Sequence, residues 1–394
     1  MLTMERPNGR RLMLLATSLS LAGGAELQVV EMARGMKERG WEVDVVSMLP
    51  PKPPSADLTS SGITLHNLQM RRGIGDPGAV LRLRQIIERI RPDVVHSHMT
   101  HANLLARMTR PFTKMPVLIN TLHGYKMYSV NSTGSGMREF AHRLTDGYAD
   151  MTTAVCQAAA DRYVKIKVAP AHKMKMVPNG IRTPAFRPNE RLRFIERHRL
   201  NLRDEFVWLA AGRLEMVKDY GCMLRSFVDA LQSDARQVLL IAGEGSLAPE
   251  LLQTALDLGV RENVRFLGFR DDISALMRAA DGFVMSSIFE GMPLALLEAG
   301  ASELPIVATR VGGNAETMLE GRSGLLVPAR DPAALGRAMR SVVSMSIEER
   351  REMGRAGGDF VRGKYSLEAV LDQWEALYAQ LTGHSVAGLV KEMA

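Results

Sequence analysis

Phe289-Glu290-Gly291-Met292-Pro293-Leu294-Ala295-Leu296-Leu297-Glu298-Ala299 passes from a loop into a helix. Ser286, Ser287 and Gly291 are poor helix formers, whereas Pro293 suits a first helical position, where its missing N–H is no loss. The helix is therefore expected to start at Pro293. That start leaves the N–H groups of Gly291, Met292 and Leu294 without intrahelical partners at the positive end of a helix dipole, an arrangement that attracts phosphate. Glu290 then stands at the mouth, and Glu298 follows about 7 to 8 Å down the axis. Two carboxylates so spaced grip opposite ends of an extended ligand whose phosphates lie between them. Taken by itself, the same pattern also describes a capped amphipathic helix with Leu294, Leu297 and Ala301 in a core.

Working outward, Gly212-Arg213-Leu214-Glu215-Met216-Val217-Lys218-Asp219-Tyr220-Gly221 follows a strand-like run at 206–211. Such a loop lies at the ligand end of a parallel sheet, and its two cations suit one diphosphate, Arg213 as a bidentate donor and Lys218 as a point charge. The charge balance joins the two stretches. A nucleotide diphosphate brings about two negative charges and the glutamates two more, which repel by several kcal/mol where water is scarce. Arg213, Lys218 and the helix end return about +2.5.

Together these stretches resemble the signatures of the family-four retaining glycosyltransferases of GT-B fold, namely Glu-x7-Glu within F-E-G-M-P-L-A-L-L-E-A and G-R-L-x-x-x-K-G. The second departs from the pattern, because Asp219 replaces the glycine after the lysine. The resemblance implies an α/β protein of two Rossmann-like, doubly wound parallel-sheet domains facing across a cleft. It implies that Glu290 contacts the donor sugar and Glu298 the ribose, with Gly291, Met292, Pro293 and Leu294 at the phosphates. It also places Gly23-Gly24, in the turn Ser18-Leu19-Ser20-Leu21-Ala22-Gly23-Gly24-Ala25-Glu26, on the phosphate side of the donor, and His123 beside the transferred sugar.

Read from the residues, Gly23-Gly24 permits close backbone approach to an anion but lacks the full G-x-G-x-x-G of a dinucleotide site, as does Gly243-Glu244-Gly245-Ser246. His123 ends a strand-like run, where a lone histidine is more often structural; the active-site role comes from the resemblance. His96-Ser97-His98-Met99-Thr100-His101 has no carboxylate or cysteine beside it and is read as a loop lining the cleft rather than a metal site. No Asp-x-Asp occurs in the chain, so no metal is expected on the diphosphate; Arg213, Lys218 and the helix end take that role, and no cofactor is expected.

The chain has 394 residues, enough for two domains. Strand-like runs at 41–48, 93–99, 116–123 and 150–156, and again at 206–211, 237–242, 264–268, 282–286, 305–309 and 325–327, alternate with amphipathic segments, which is the mark of βαβ units. Residues 1–183 are read as an N-terminal acceptor domain and 184–371 as the donor domain, with the last helix, about 372–394, returning to the first by resemblance. The apolar run at 10–19 has the outline of a signal peptide, but the amphipathic segment from Ala25 favours a buried first strand. No 18-residue apolar run spans a membrane. Two isolated cysteines, Cys156 and Cys222, indicate neither disulfides nor a metal knuckle and fit a reducing compartment.

The net charge of +7 is uneven: residues 1–183 carry 25 Lys+Arg against 14 Asp+Glu, the remainder 25 against 29. The +11 of the first part is read as seeking an anionic membrane rather than nucleic acid. Val80, Leu83, Ile87 and Ile90 at helical spacing among Arg82, Arg84, Arg89 and Arg91, with Lys165, Lys167, Lys173 and Lys175, are the candidate contact, although a helix packed on the sheet explains the first group equally well. These readings converge on a metal-independent retaining hexosyltransferase. It would move a hexose or N-acetylhexosamine from a nucleotide diphosphate, by resemblance UDP, to a hydroxyl of a polyprenyl-diphosphate-linked or other lipid-linked glycan. It would sit in the cytoplasm against the inner face of the membrane. The stretches at 96–103, 143–146 and 150–153 look like the subgroup that builds bacterial surface glycans. A nucleotide-sugar epimerase of the same fold and a non-catalytic nucleotide-sugar binding module are the alternatives.

Overall fold

The computed structural model describes residues 10–19, 23–52, 55–124, 135–232 and 234–383. Two units of structure divide the chain. The first takes the described residues before Ile181 together with those from Leu367 on, and the second takes Ile181–Ser366. The division thus falls at residue 181 rather than 184, and the chain returns at Leu367 rather than at 372.

In the first unit the order is β1 Arg11–Ala16, α1 Gly24–Glu38, β2 Glu42–Ser47, β3 Thr64–Asn67, α2 Gly78–Ile90, β4 Val94–His98, α3 Thr100–Thr109, β5 Val117–Leu122, α4 Ser135–Thr145, β6 Met151–Ala154, α5 Gln157–Lys165 and β7 Met174–Met176. The strands form one parallel sheet in the order β3-β2-β1-β4-β5-β6-β7. The run 12–16 reads as continuously apolar because β1 is covered on both faces. Leu12 and Leu14 pack with α1, and Met13 and Leu15 with α2 and α3.

The second unit runs α6 Glu190–Arg199, β8 Phe206–Ala211, α7 Tyr220–Ala230, β9 Gln237–Ala242, α8 Ala248–Asp257, β10 Val264–Gly268, α9 Ile273–Ala279, β11 Gly282–Met285, α10 Leu294–Ala301, β12 Ile306–Thr309, β13 Gly324–Val327, α11 Pro332–Ser344 and α12 Ile347–Tyr365. Its parallel sheet has the order β10-β9-β8-β11-β12-β13. Trp208 and Ala210 face α7 and α11, while Val207 and Leu209 face α9 and α10. In each sheet the strand order reverses at a central pair, β1/β4 and β8/β11, and ligands of doubly wound folds collect outside the carboxyl ends of such pairs.

The last helix, α13 Leu367–Thr382, belongs to the first unit, with Leu371, Trp374 and Tyr378 in the same core as α1. Arg39 ties it down through Asp372 and Glu375, each at 2.7 Å, and Trp41 donates to Glu375 at 2.8 Å. The part of the expected helix beyond residue 383 lies outside the described residues.

Two expectations about the first unit change. His96 and His98 are buried members of β4, not a loop. Leu83 and Ile87 of α2 are core residues, so the sheet takes the apolar face proposed for the membrane. The exposed apolar stripe is instead on α4, where Met137, Phe140 and Leu144 are 76%, 55% and 68% exposed. Their spacing of three and four puts them on one helix face.

Candidate active site at the β8 and β11 loops

β8 and β11 are neighbours, and the two motifs leave their carboxyl ends side by side. After β8, Gly212 turns with φ 150° and its carbonyl accepts from the Tyr220 hydroxyl at 3.0 Å. A single turn, Met216–Lys218, then carries the lysine. Asp219 follows in the left-handed region at φ 46°, and its side chain caps α7 by accepting from the N–H of Cys222 at 3.1 Å. The backbone here is what a glycine would supply. Aspartate tolerates it and adds a cap, which explains how the family glycine is replaced without loss of the turn.

The β11 loop is bound to this turn at several points. Ser286 donates to the carbonyl of Lys218 at 2.7 Å, and the N–H of Ile288 to that of Val217 at 2.9 Å. Lys218 Nζ lies 2.6 Å from Glu290 Oε1, which also accepts from Ser287 Oγ at 2.7 Å. Thr309 at the end of β12 holds the carbonyl of Ser287 at 2.6 Å. Gly312 closes over the loop, where an added Cβ would stand 1.9 Å from the Glu290 carbonyl, and Gly313 donates to Gly291 at 2.8 Å. Gly243 and Gly245 are likewise steric: a Cβ on either would strike the backbone of Gly212 or Leu214 at 2.0 or 2.3 Å. This is a packing role for what read as a near-miss phosphate loop.

The helix start differs from expectation. Pro293 is the N-cap, extended at ψ 125°, and α10 begins at Leu294. The N–H groups without an intrahelical partner therefore begin at Leu294, and Leu296 already donates to the Pro293 carbonyl at 3.2 Å. Gly291, Met292 and Pro293 form the loop before it. The two cations also differ. Lys218 is part-buried and paired with Glu290, so the chain neutralises its own carboxylate, whereas Arg213 is exposed with no side-chain partner among the described residues. Glu298 has no hydrogen-bond or ion-pair partner among them either, and desolvation raises its carboxyl to about 7.

In the first unit, Gly23 is the extended N-cap of α1, and Ser20, Leu21 and Ala22 of its turn lie outside the described residues. Glu26 in the first turn of α1 accepts from Ser18 and is buried. That carboxylate already neutralises much of the helix end near Gly23 and Gly24 and weakens its pull on a phosphate. His123 follows β5, its Nε2 3.0 Å from Nδ1 of His98, and desolvation lowers its imidazole to about 4. Among the described residues no group of three or more His, Cys, Asp or Glu is arranged to hold a metal ion.

Residue-by-residue reading missed Ser286, Ser287, Thr309, Tyr220 and Gly312, which hold the site together. In the sequence the serines read only as poor helix formers, and Thr309 and Gly312 lie well downstream of Glu290, linked to it by the β12 crossover alone. A separate cavity of about 510 Å³ in this unit lies beside Asp281 and Pro305, at the opposite ends of β11 and β12. Its Arg193 is committed to the carbonyls of Arg278 and Ala280 and to Asp281, so it is read as structural.

Residues 205–345 match the family described as glycosyl transferases group 1, and residues 23–180 the glycosyl transferase 4-like domain. The chain is 31% identical to a D-inositol 3-phosphate glycosyltransferase of Geodermatophilus obscurus, over 91% of this chain and 84% of that protein. It is 28% identical to the UDP-Gal:alpha-D-GlcNAc-diphosphoundecaprenol alpha-1,3-galactosyltransferase of Escherichia coli, over 66% and 68% of the two chains. Among solved structures, Anabaena HepE in complex with UDP superposes with a TM-score of 0.82 at 18% identity, covering 94% of this chain and all of the other. The protein is a glycosyltransferase of group 1, family four, built as the two Rossmann-like domains of the GT-B fold.

Proposed function

We propose that the protein transfers a hexose or N-acetylhexosamine from UDP to a hydroxyl of a lipid-linked glycan, with retention of anomeric configuration and without a metal. The observation that carries this reading is the joining of Lys218 to Glu290 across the β8 and β11 loops, with Arg213 of the same β8 loop exposed and without a side-chain partner among the described residues. Lys218 and Arg213 would take the charge that develops on the leaving diphosphate, and the first N–H groups of α10 would add to it. Fixed donors of this kind are the largest catalytic contribution available to such a site. Glu290, held at one oxygen by Lys218 and Ser287, keeps its other oxygen for the sugar hydroxyls. Glu298 would accept from the ribose hydroxyls. Gly23 and Gly24 would let the donor approach the α1 backbone closely, and His123 would contact the transferred sugar.

UDP as the carrier is supported by the UDP-Gal donor of the Escherichia coli relative and by the UDP bound in the HepE complex, and the lipid-linked acceptor by the former. No helix among the described residues is long and apolar enough to cross a membrane. An approach to a cytoplasmic membrane face is supported by α4, whose Met137, Phe140 and Leu144 are exposed and whose Arg143 adds an exposed cation to the same helix. Shallow apolar insertion plus about 1 kcal/mol per basic group would hold such a surface on anionic lipid.

The test is nucleotide release with purified protein in chelator. UDP freed only when a polyprenyl-diphosphate-linked saccharide is present supports transfer and separates it from both alternatives. An epimerase or a sensor would not depend on the acceptor, and activity restored by magnesium or manganese would refute the metal-free reading. Nuclear magnetic resonance of the product linkage decides retention.

A further inference from the structure

The first unit contains a row of three imidazoles. His96 and His98 are two residues apart on β4 and so share a face of the sheet, with ring centroids 4.1 Å apart. His123, just past β5, extends the row at 5.3 Å from His98. The rings are held differently. His96 is saturated, by Tyr378 Oη at 2.7 Å and Thr121 Oγ1 at 2.6 Å. His98 bonds only through Nδ1, to His123 Nε2 at 3.0 Å. Nε2 of His98 and Nδ1 of His123 are buried without a partner among the described residues.

The backbone after His98 supports a role beyond packing. Met99 has φ 73° and ψ 154°, a region that side chains other than glycine scarcely enter, and it is kept there by its N–H to the Thr121 carbonyl at 3.2 Å and by Asn103 donating to its carbonyl at 3.0 Å. Strain of this kind collects at functional sites, and here it adjoins the residue that holds His123.

We propose that His98 is a positioning residue: its Nδ1–H donates to His123 Nε2, fixing the ring plane of His123 and its Nδ1–H tautomer, so that the ring atom left for a sugar hydroxyl is a hydrogen-bond donor. Burial keeps both rings uncharged, so their shared bond uses one proton and its direction decides what each orphaned nitrogen is. Donation by His123 would leave an N–H of His98 stranded inside the sheet, where only 1% of that residue is exposed. Either direction leaves one buried N–H without a partner among the described residues, on Nε2 of His98 or on Nδ1 of His123. Donation by His98 puts it on His123, a half-buried residue at the strand end where a bound hydroxyl can accept it, whereas donation by His123 leaves it inside the sheet beyond reach of a ligand.

The inference rests on the proposed sugar contact of His123, and the experiment separates the two. In the full-length protein labelled with ¹⁵N-histidine, His123 should show a protonated Nδ1 and an unprotonated Nε2. His98→Phe keeps a ring against His96 but removes the donor, and should lower kcat about 10- to 100-fold with little change in KM for the nucleotide sugar. His98→Asn, whose amide N–H falls near the Nδ1 position, should restore most of it. A proton on His123 Nε2 in the wild type, or a His98→Phe protein with unaltered kcat and unaltered His123 shifts, overturns the proposal. If His98→Phe does not fold, the wild-type shifts and His98→Asn decide. His123→Ala is measured beside them: full turnover there removes the sugar-contact reading, while the ring shifts still report whether His98 holds the tautomer.

Discussion

Lys218 and Glu290 were separate roles in the sequence, a phosphate cation and a sugar carboxylate, and the structure makes them one ion pair at 2.6 Å. Lys218→Ala or Glu290→Gln should each cost about 2 to 4 kcal/mol at the transition state, seen as a fall in kcat with the fold retained. Because the two groups touch, the double variant should lose less than the sum. Near-normal turnover of Lys218→Ala would remove the assignment. Glu298 gives a pH effect whose sign follows from its environment. Its carboxyl is raised to about 7 by desolvation, above the roughly 4.3 of an unfolded glutamate. The folded state therefore holds the extra proton between those values, and the stability this confers is present below about 4.3 and lost as pH rises through about 7. Glu298→Gln should be the more stable protein at pH 8 and nearly equal at pH 4, measured by thermal unfolding. Ribose hydroxyls donating to the carboxylate favour its charged form, so UDP should bind more tightly as pH rises towards 7 and release a proton on binding, which calorimetry in buffers of different ionisation enthalpy detects. Binding without proton release would detach Glu298 from the ribose.

At the scale of elements, the two loops of the candidate site are short segments pinned by neighbours from elsewhere in the chain. Gly312 is the sharpest case, with φ 48° and no room for a Cβ against the Glu290 carbonyl. Gly312→Ala should push the Glu290 loop away from Lys218, reducing kcat by tenfold or more while α10 and β12 stay folded; circular dichroism and kcat together test this, and unchanged turnover would show that the loop is not held as described. The strands of the second unit were legible because buried parallel strands are apolar runs, and 206–211, 237–242 and 264–268 coincide with β8, β9 and β10. β3 and β7 were not, since Thr64–Asn67 and Met174–Met176 are short, partly polar edge strands whose only signal is the neighbour they pair with. The start of α10 moved by one residue because Pro293 satisfies an extended N-cap as readily as a first helical turn.

For the whole molecule, the charge asymmetry of the sequence stands, and the apolar stripe left in the open is on α4 rather than α2. Met137→Ser/Phe140→Ser/Leu144→Ser should abolish sedimentation with anionic vesicles at low salt without altering thermal stability, since these side chains are exposed. Retained binding by the triple variant would return the interaction to the basic groups alone. Sequence by itself determined the fold class, the alternation of strands and helices, and the two motifs proposed to carry the donor chemistry, because each is written in contiguous residues with a period or a charge pattern of its own. Tertiary structure alone decided that Lys218 is spent on Glu290, that Asp219 supplies a left-handed turn, that Ser287, Thr309 and Gly312 hold the site, and that α4 rather than α2 keeps its apolar stripe in the open. Those depend on which elements become neighbours, and an amphipathic helix carries the same spacing whether a sheet or a solvent face awaits it.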